Sequence, residues 1–563
     1  MKLEAALVPL ALLWVAAPEG VALHPWVATL TATVVFGLAL RRLILGARVG
    51  TPLVWLCLLV AWLGLEALFQ PVPWARSAHL LACGLAGAAL ALVAAHPTGR
   101  HWLRAATVAA GLLASIWAVA EKLAVGGRPG GPFLNPNLAG GLGALGLALL
   151  FHGVFRRLLL GAGPVLLAGV VASGSRAAAL AVLILGFYAF SVRRQLPGLG
   201  VVSLFVLVAA GALGIRLLTD QDPLRFERVR IWRTALQVAR VYFPWGAGPG
   251  SFADAALAFN FPRDGEFARF ARFPGVAEND LLQAAACLGL PGVLLALGLG
   301  LGLCLQASKD KIGELGPLLV LGVMGVFHSQ FLWPVGVLTA ISAGRFSGGI
   351  RVQLPPSLAG SLMLPLAVFA NLGLAWPRGV LGDPPGETLA ALELVLRGRS
   401  SEKELANGLV KAEALVSQAP RMSRAWQALA FVQLQLGQQL GDGAALRAAV
   451  ASFRKAQELN PNGLWAFYGE AVAWLTLGQV ELGRRAVLHA LQLEPNCVRC
   501  WLTLAQVRLY TGELTQARAA LAKAEAVSRW AKKLTFVSSY EVELARLEEP
   551  LAGRLRQALG QAP

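Results

Sequence analysis

Apolar residues dominate the chain as far as about residue 376, in runs long enough to cross a bilayer. A spanning helix needs roughly 20 such residues. Spans are therefore expected near 5–18, 22–40, 52–69, 78–95, 102–120, 136–151, 158–173, 177–191, 199–217, 279–305, 315–330, 333–347 and 357–376. One long polar interruption, about 218–278, breaks the series. From about Gly379 the pattern becomes soluble and helical, rich in Ala, Leu, Gln, Glu and Arg. Three segments there, PRMSRAW at 420, PNGLWAF at 461 and PNCVRCW at 495, each set an aromatic six positions after a proline. The last two prolines are 34 residues apart, and Ala456/Ala490 and Gly478/Gly512 recur at the same interval. The predicted fold is all-α: a polytopic bundle of about 12–13 spans over 1–377, then a helical solenoid over 378–563.

Composition agrees with this division. A mean hydropathy of +0.61 with 14% charged residues is that of a multi-pass membrane protein. The net charge of +18 is spread over short loops, which fits membrane orientation better than a nucleic-acid footprint. With the N-terminus inside, one set of loops carries Arg41, Arg42, Arg48, Arg100, Arg104, Arg156, Arg157, Arg193, Arg194, Lys309, Lys311, Arg345 and Arg351. The opposite short loops carry Arg76, Lys122, Arg128 and Arg176. Positive charge gathers inside, so the polar loop and everything after Trp376 are expected outside. Ala5–Ala17 lacks a following small-residue cleavage site and reads as a retained span. The 34-residue period resembles tetratricopeptide repeats, with 386–419 and 525–560 as capping helices. Cys497 and Cys500 share a helix face without a second ligand pair; packing is expected there rather than a disulfide.

The polar loop carries eight arginines (225, 228, 230, 233, 240, 263, 269, 272) and no lysine. Arginine grips phosphate oxygens in pairs, so the loop is expected to hold an anion at the membrane surface. Arg228, Arg230 and Trp232 are expected just ahead of an amphipathic helix. PWGAGPGSF follows, where Gly246, Gly248 and Gly250 permit close backbone approach. Without a preceding strand this is not a dinucleotide fingerprint. Upstream, Asn135 and Asn137 of GPFLNPNLAG either turn the chain about Pro136 or bind sugar hydroxyls or phosphate. Arg176, in SGSRAAALAVLIL, opposes the dipole at a helix start and calls for an anionic partner or a lipid headgroup. Glu278, in AENDLLQAAACLGLPG, is either a helix N-terminal acid or a general base. His328 falls at the same outer level, with Glu66 and Glu121 near other outer span ends. Nothing has metal-ligand spacing.

GPFLNPNLAG, SGSRAA, RVRIWRTAL…PWGAGPGSF and ENDLLQAAACLGLPG, in that order over about 120–300, resemble the O-antigen ligase/polymerase superfamily of bacterial envelopes. Members with C-terminal tetratricopeptide repeats are similar to the whole chain. The resemblance implies a metal- and cofactor-independent inverting membrane glycosyltransferase with a polyprenyl-diphosphate-linked glycan donor. The acceptor would be a glycan, lipid or protein, with a protein partner or the growing polymer at the repeats. It maps the family's two important arginines onto Arg176 and Arg228. Arg230, Asn135, Asn137, Gly248, Gly250, Asn279 and His328 stand as substrate-binding candidates. The family usually has histidine where this chain has Glu278, so the base is Glu278, or His328 from a neighbouring helix, or the activity is altered. The alternative reading is a transporter or scaffold that binds lipid-linked glycans without catalysis.

Overall fold

The computed structural model describes residues 3–16, 18–19, 22–70, 74–126, 135–152, 155–194, 227–307, 311–329, 334–374, 401–536 and 538–560. The span expected at 199–217, the turn at 127–134 and Arg225 lie outside the described residues. The chain divides into two compact units. The first comprises Met1–Phe252 and Val276–Asp383; the second comprises Ala253–Gly275 and Pro384–Pro563.

In the first unit the helices are α1 (Leu7–Ala16), α2 (Pro25–Leu45), α3 (Thr51–Phe69), α4 (Trp74–Ala94), α5 (Pro97–Val125), α6 (Pro136–Leu150), α7 (Leu159–Ser173), α8 (Arg176–Arg194), α9 (Glu227–Val241), α10 (Asp280–Leu305), α11 (Lys311–Phe327), α12 (Pro334–Ala343) and α13 (Pro356–Leu374). Among the described residues seven of them, α2, α3, α4, α5, α7, α10 and α13, are long and apolar enough to cross a membrane, α7 together with the 3₁₀ turn before it. Helices α1, α6 and α11, and the Arg176–Val192 part of α8, are shorter apolar segments. Helix is the natural choice, because in hydrocarbon every backbone group must be satisfied within the segment.

Helix α3 runs against α10 in the opposite direction. Pro52 and Trp55 meet Gly302 and Gly298 near one end, and the Trp62 indole bonds Leu288 O further along. The end of the unit at Gln306 is basic: Arg41 and Arg42 pair with Glu4, and Arg345 with Glu314. Arg42, Arg48, His96 and Arg345 line a cavity of about 460 Å³ there. Arg48 sits in a short antiparallel ribbon, Ala47–Val49 with Ile350–Val352. The other end of α10, 26 residues along the helix, holds Asn279 and the residues described below.

The second unit repeats a helix pair three times: Ser423–Leu440 with Gly443–Leu459, Leu464–Thr476 with Val480–Leu493, and Val498–Tyr510 with Leu514–Ala531. Glu402–Gln418 precedes them, and Ser539–Ala545 and Glu549–Ala558 follow. Each pair turns through a left-handed glycine, Gly441, Gly478 or Gly512, where a side chain would be strained. The aromatic six places after proline has a physical role in two repeats: the Trp426 and Trp501 indoles donate to Pro420 O and Pro495 O and close the inter-repeat turn. Ala456, Ala490 and Ala524 are fully buried where helices touch. One expectation is corrected. Cys497 and Cys500 form a disulfide rather than a packing pair, because the i, i+3 step at the helix start sets their Cα atoms 5.3 Å apart.

Candidate functional site

At the end of the first unit opposite the basic cavity, sequence motifs far apart in the chain converge. Asn135 caps α6 by accepting from Asn137 N–H, with Pro136 at the first helical position. The Asn137 Oδ1 in turn accepts from Ser175 Oγ at the start of α8, 3.0 Å away. Gly140 lets α6 lie against that same start: a Cβ there would come 2.6 Å from Ser173 Oγ and 2.8 Å from Ser175 Cβ. The neighbouring Gly141 meets Met324 of α11. The first turn of α8, which begins at Arg176, is therefore level with the last turn of α11, which leads into His328.

Helix α10 enters the same level. Asn279 caps it through Leu282 N–H, and pins it to α11 by donating from Nδ2 to Val326 O and from its backbone to Ser329 Oγ. Asp280, at the first helical position, faces Gly325. Immediately before the cap, Glu278 has φ of 52°, a left-handed conformation that a non-glycine residue rarely adopts.

Further along, α10 is broken. Gly289 has φ 63° and ψ −161°, and Pro291 has no N–H to give to Cys287 O. The PWGAG segment of the polar loop repairs the break. Ala247 N–H donates to Ala286 O and Gly248 N–H to Cys287 O, while Leu290 N–H donates to Pro244 O. Trp62 of α3 takes Leu288 O. The glycines permit this crossing: a Cβ on Gly289 would lie 2.1 Å from Pro244 O, and one on Gly246 2.6 Å from Cys287 O. Beyond it, Ser77 Oγ donates to Pro249 O, and Gly250 packs on Arg76. Gly248, a substrate-binding candidate in the sequence, donates its N–H within this crossing, and Gly250, the other, lies beside it.

The chemical groups sit around Glu278. His328 Nδ1 lies 3.2 Å from Glu278 Oε2. The imidazole is buried, with 3% of its side chain accessible, against 26% for the carboxylate. Among the described residues His328 Nε2 has no hydrogen-bond partner. Trp232 Nε1 donates to Glu278 O at 3.3 Å, and its ring lies 6.2 Å from that of Phe327. Arg228 precedes Trp232 by one turn on α9, so the two share the helix face turned to Glu278. Arg228 and Arg230 thus lie inside α9 rather than ahead of it, since the helix already starts at Glu227. Arg230, two positions on, points about 200° round the helix from Arg228, and is exposed where Arg228 is half-buried. Arg176 is exposed at the first position of α8. The arginine cluster divides: Arg228, Arg230, Arg233 and Arg240 are on α9, while Arg263, Arg269 and Arg272 belong to the second unit.

Residues 162–297 match the O-antigen ligase family. Three of the four converging motifs, from SGSR through PWGAGPGSF to ENDLLQ, fall inside this ligase region, and the Asn135–Asn137 turn lies upstream of it. The ligase match and the apolar helices together support a multi-pass membrane protein of the glycan ligase or polymerase class. No curated protein matches the chain. Among solved structures the chain is similar to a thermophilic TPR protein of Thermus thermophilus, at 20% identity and a TM-score of 0.26, over 36% of this chain and 96% of that one. It is also similar to a MamA RS-1 double mutant, at 17% identity and a TM-score of 0.22, over 32% of this chain and 94% of the other.

In the sequence, Asn135, Asn137 and Asn279 are candidates to bind substrate. Their bonds in the structure cap α6 and α10 and tie α6 to α8 and α10 to α11. Sequence reasoning missed Trp62, Ser77 and Asp280. The run Glu278-Asn279-Asp280 was the one available signal for Asp280, and nothing local marks the other two. Substituting Gly289→Ala inserts a methyl into the Pro244 carbonyl and imposes a strained φ. It is expected to cost roughly 2–4 kcal/mol, measured as lowered thermal stability of the purified protein in detergent.

Proposed function

We propose that this protein transfers or polymerises a glycan from a polyprenyl-diphosphate-linked donor onto an acceptor hydroxyl at the outer face of the cytoplasmic membrane. The observation that carries the reading is the Glu278–His328 contact, buried on the histidine side and open on the carboxylate side. Such a pair suits an oriented base. His328 behind Glu278 fixes one carboxylate oxygen, and the other remains for an incoming hydroxyl within hydrogen-bond reach. The glutamate that stands where the family usually has histidine and a separate histidine from the end of α11 are then two parts of one device.

The acceptor O–H proton passes to Glu278, and the oxygen forms a bond to the anomeric carbon. The bond from that carbon to the diphosphate oxygen breaks, and its electron pair leaves with the diphosphate. Attack opposite the leaving group inverts the configuration. Arg228, on the α9 face that reaches Glu278, and Arg176, at the same level on α8, take the negative charge that grows on the diphosphate. Fixed donors aimed at developing charge are among the strongest sources of catalysis. Arg230 is a lesser candidate, because it turns to another face of α9.

Arg228→Ala is expected to lower glycan transfer at least about a hundredfold; unchanged transfer in a purified assay with lipid-linked donor overturns the assignment. Glu278→Gln is expected to lower the rate by about 10²–10⁴. His328→Ala should have a smaller effect, since it removes orientation but not the proton acceptor. The reverse order would make His328 the base. For location, a single cysteine engineered at Lys523 in a variant lacking the native cysteines should react with a membrane-impermeant maleimide added from outside. Reaction only after the cytoplasmic side is opened would refute the orientation.

A further inference from the structure

The second unit includes, besides the helical repeats, the stretch Ala253–Gly275 of the polar loop. This stretch is closed on itself: Arg263 N–H donates to Arg269 O, and Arg269 pairs with Asp264 across a left-handed Gly265. The repeats hold it mainly by its backbone. Glu494, with 0% of its surface accessible, accepts from Arg269 N–H through one oxygen and from Phe270 N–H through the other, both at 2.8 Å. Asn496 donates to Phe267 O at 2.8 Å, and Asn462 to Asn260 O at 2.9 Å. These two asparagines are 34 positions apart, each directly after the turn proline of its repeat. Equivalent places in successive repeats therefore grip carbonyls seven residues apart in the loop.

One side chain anchors the segment. Phe267 is buried between Trp530 and Phe536, with ring centroids 5.2 and 5.0 Å away. Arg269, an apparent anion trap in the sequence, donates to Gln492 O and Leu493 O at the C-terminal end of a repeat helix, where a cation is favoured. Burial pushes the Glu494 carboxyl up, and the two loop N–H groups and the Tyr540 hydroxyl draw it back. A buried carboxylate is costly without such partners. The repeat surface is thus incomplete without the loop.

We propose that the repeats are a clamp acting within the chain: their peptide ligand is the protein's own loop, recognised through backbone groups and Phe267, and their role is to position that loop for transfer. Covalent connection makes this effective. The clamped segment runs on one side into Gly250–Ser251 and the crossing on α10, and on the other into Val276 and Glu278. The connections are short: seven residues separate Phe252 from the grip at Asn260, and seven separate Phe270 from Glu278. The clamp stands on its own contacts; its bearing on catalysis rests on the transfer reading above.

Hydrogen exchange on the full chain in nanodiscs tests it, with Phe267→Ala altering the loop side and Asn462→Ala/Asn496→Ala the repeat side. Both variants should speed exchange at the Arg269 and Phe270 amides by at least about tenfold, while amides of Val498–Tyr510 keep their protection as a sign that the repeats stay folded. Glycan transfer should fall by a similar factor with Arg228 and Glu278 intact. Unchanged exchange in both variants overturns the clamp. Faster exchange with unchanged transfer overturns the positioning role. Failure of the transfer reading is separable: Arg228→Ala would then be silent, while the exchange result, read without any glycan, still decides the clamp.

Discussion

The geometry of the membrane unit depends on how the break in α10 is repaired. A helix interrupted by Gly289 and Pro291 leaves carbonyls and an N–H without their usual partners, and inside an apolar bundle each such group costs on the order of several kcal/mol if unmet. PWGAG and Trp62 supply the missing partners, four bonds in all. The loop is thereby fastened to a helix rather than draped over it. Arg228 on α9 lies just before this fastening and Glu278 just after the loop returns, so the helix break fixes both approaches to the candidate site.

Around that fixed point, much of the polar machinery is structural. Asparagines cap helices, serines join them and glycines allow close crossing, which leaves few groups for chemistry. The Glu278–His328 pair stands out because its two halves differ in access. The strained backbone at Glu278 has a clear setting: its carbonyl is taken by Trp232, its side chain by His328, and the next residue caps α10. Several independent contacts hold one unusual conformation, as backbone strain requires.

The repeats contribute a second kind of constraint. Their 34-residue period places equivalent asparagines on successive turns, and the period that stacks the helices also spaces the grips on the loop. Three of the loop's arginines take part in this unit. Arginine density in a loop is therefore a poor guide to anion binding until each guanidinium has been placed.

What local pattern controls was legible in the sequence. Apolar runs set the spans, the turn prolines and glycines set the repeats, and Asn135-Pro136 and Asn279-Asp280 marked helix starts, because caps and periodicity act within a few residues. It also pointed to Arg176, Arg228, Glu278 and His328 as the residues of interest. Which of them meet depends on the folded chain. That His328 backs Glu278 and that Gly248 serves a helix break depend on residues dozens of positions apart. The grip of Glu494 on Arg269 and Phe270, across more than 220 residues, left no local trace. A buried carboxylate and two backbone N–H groups carry no spacing rule; they find one another only when the chain has folded.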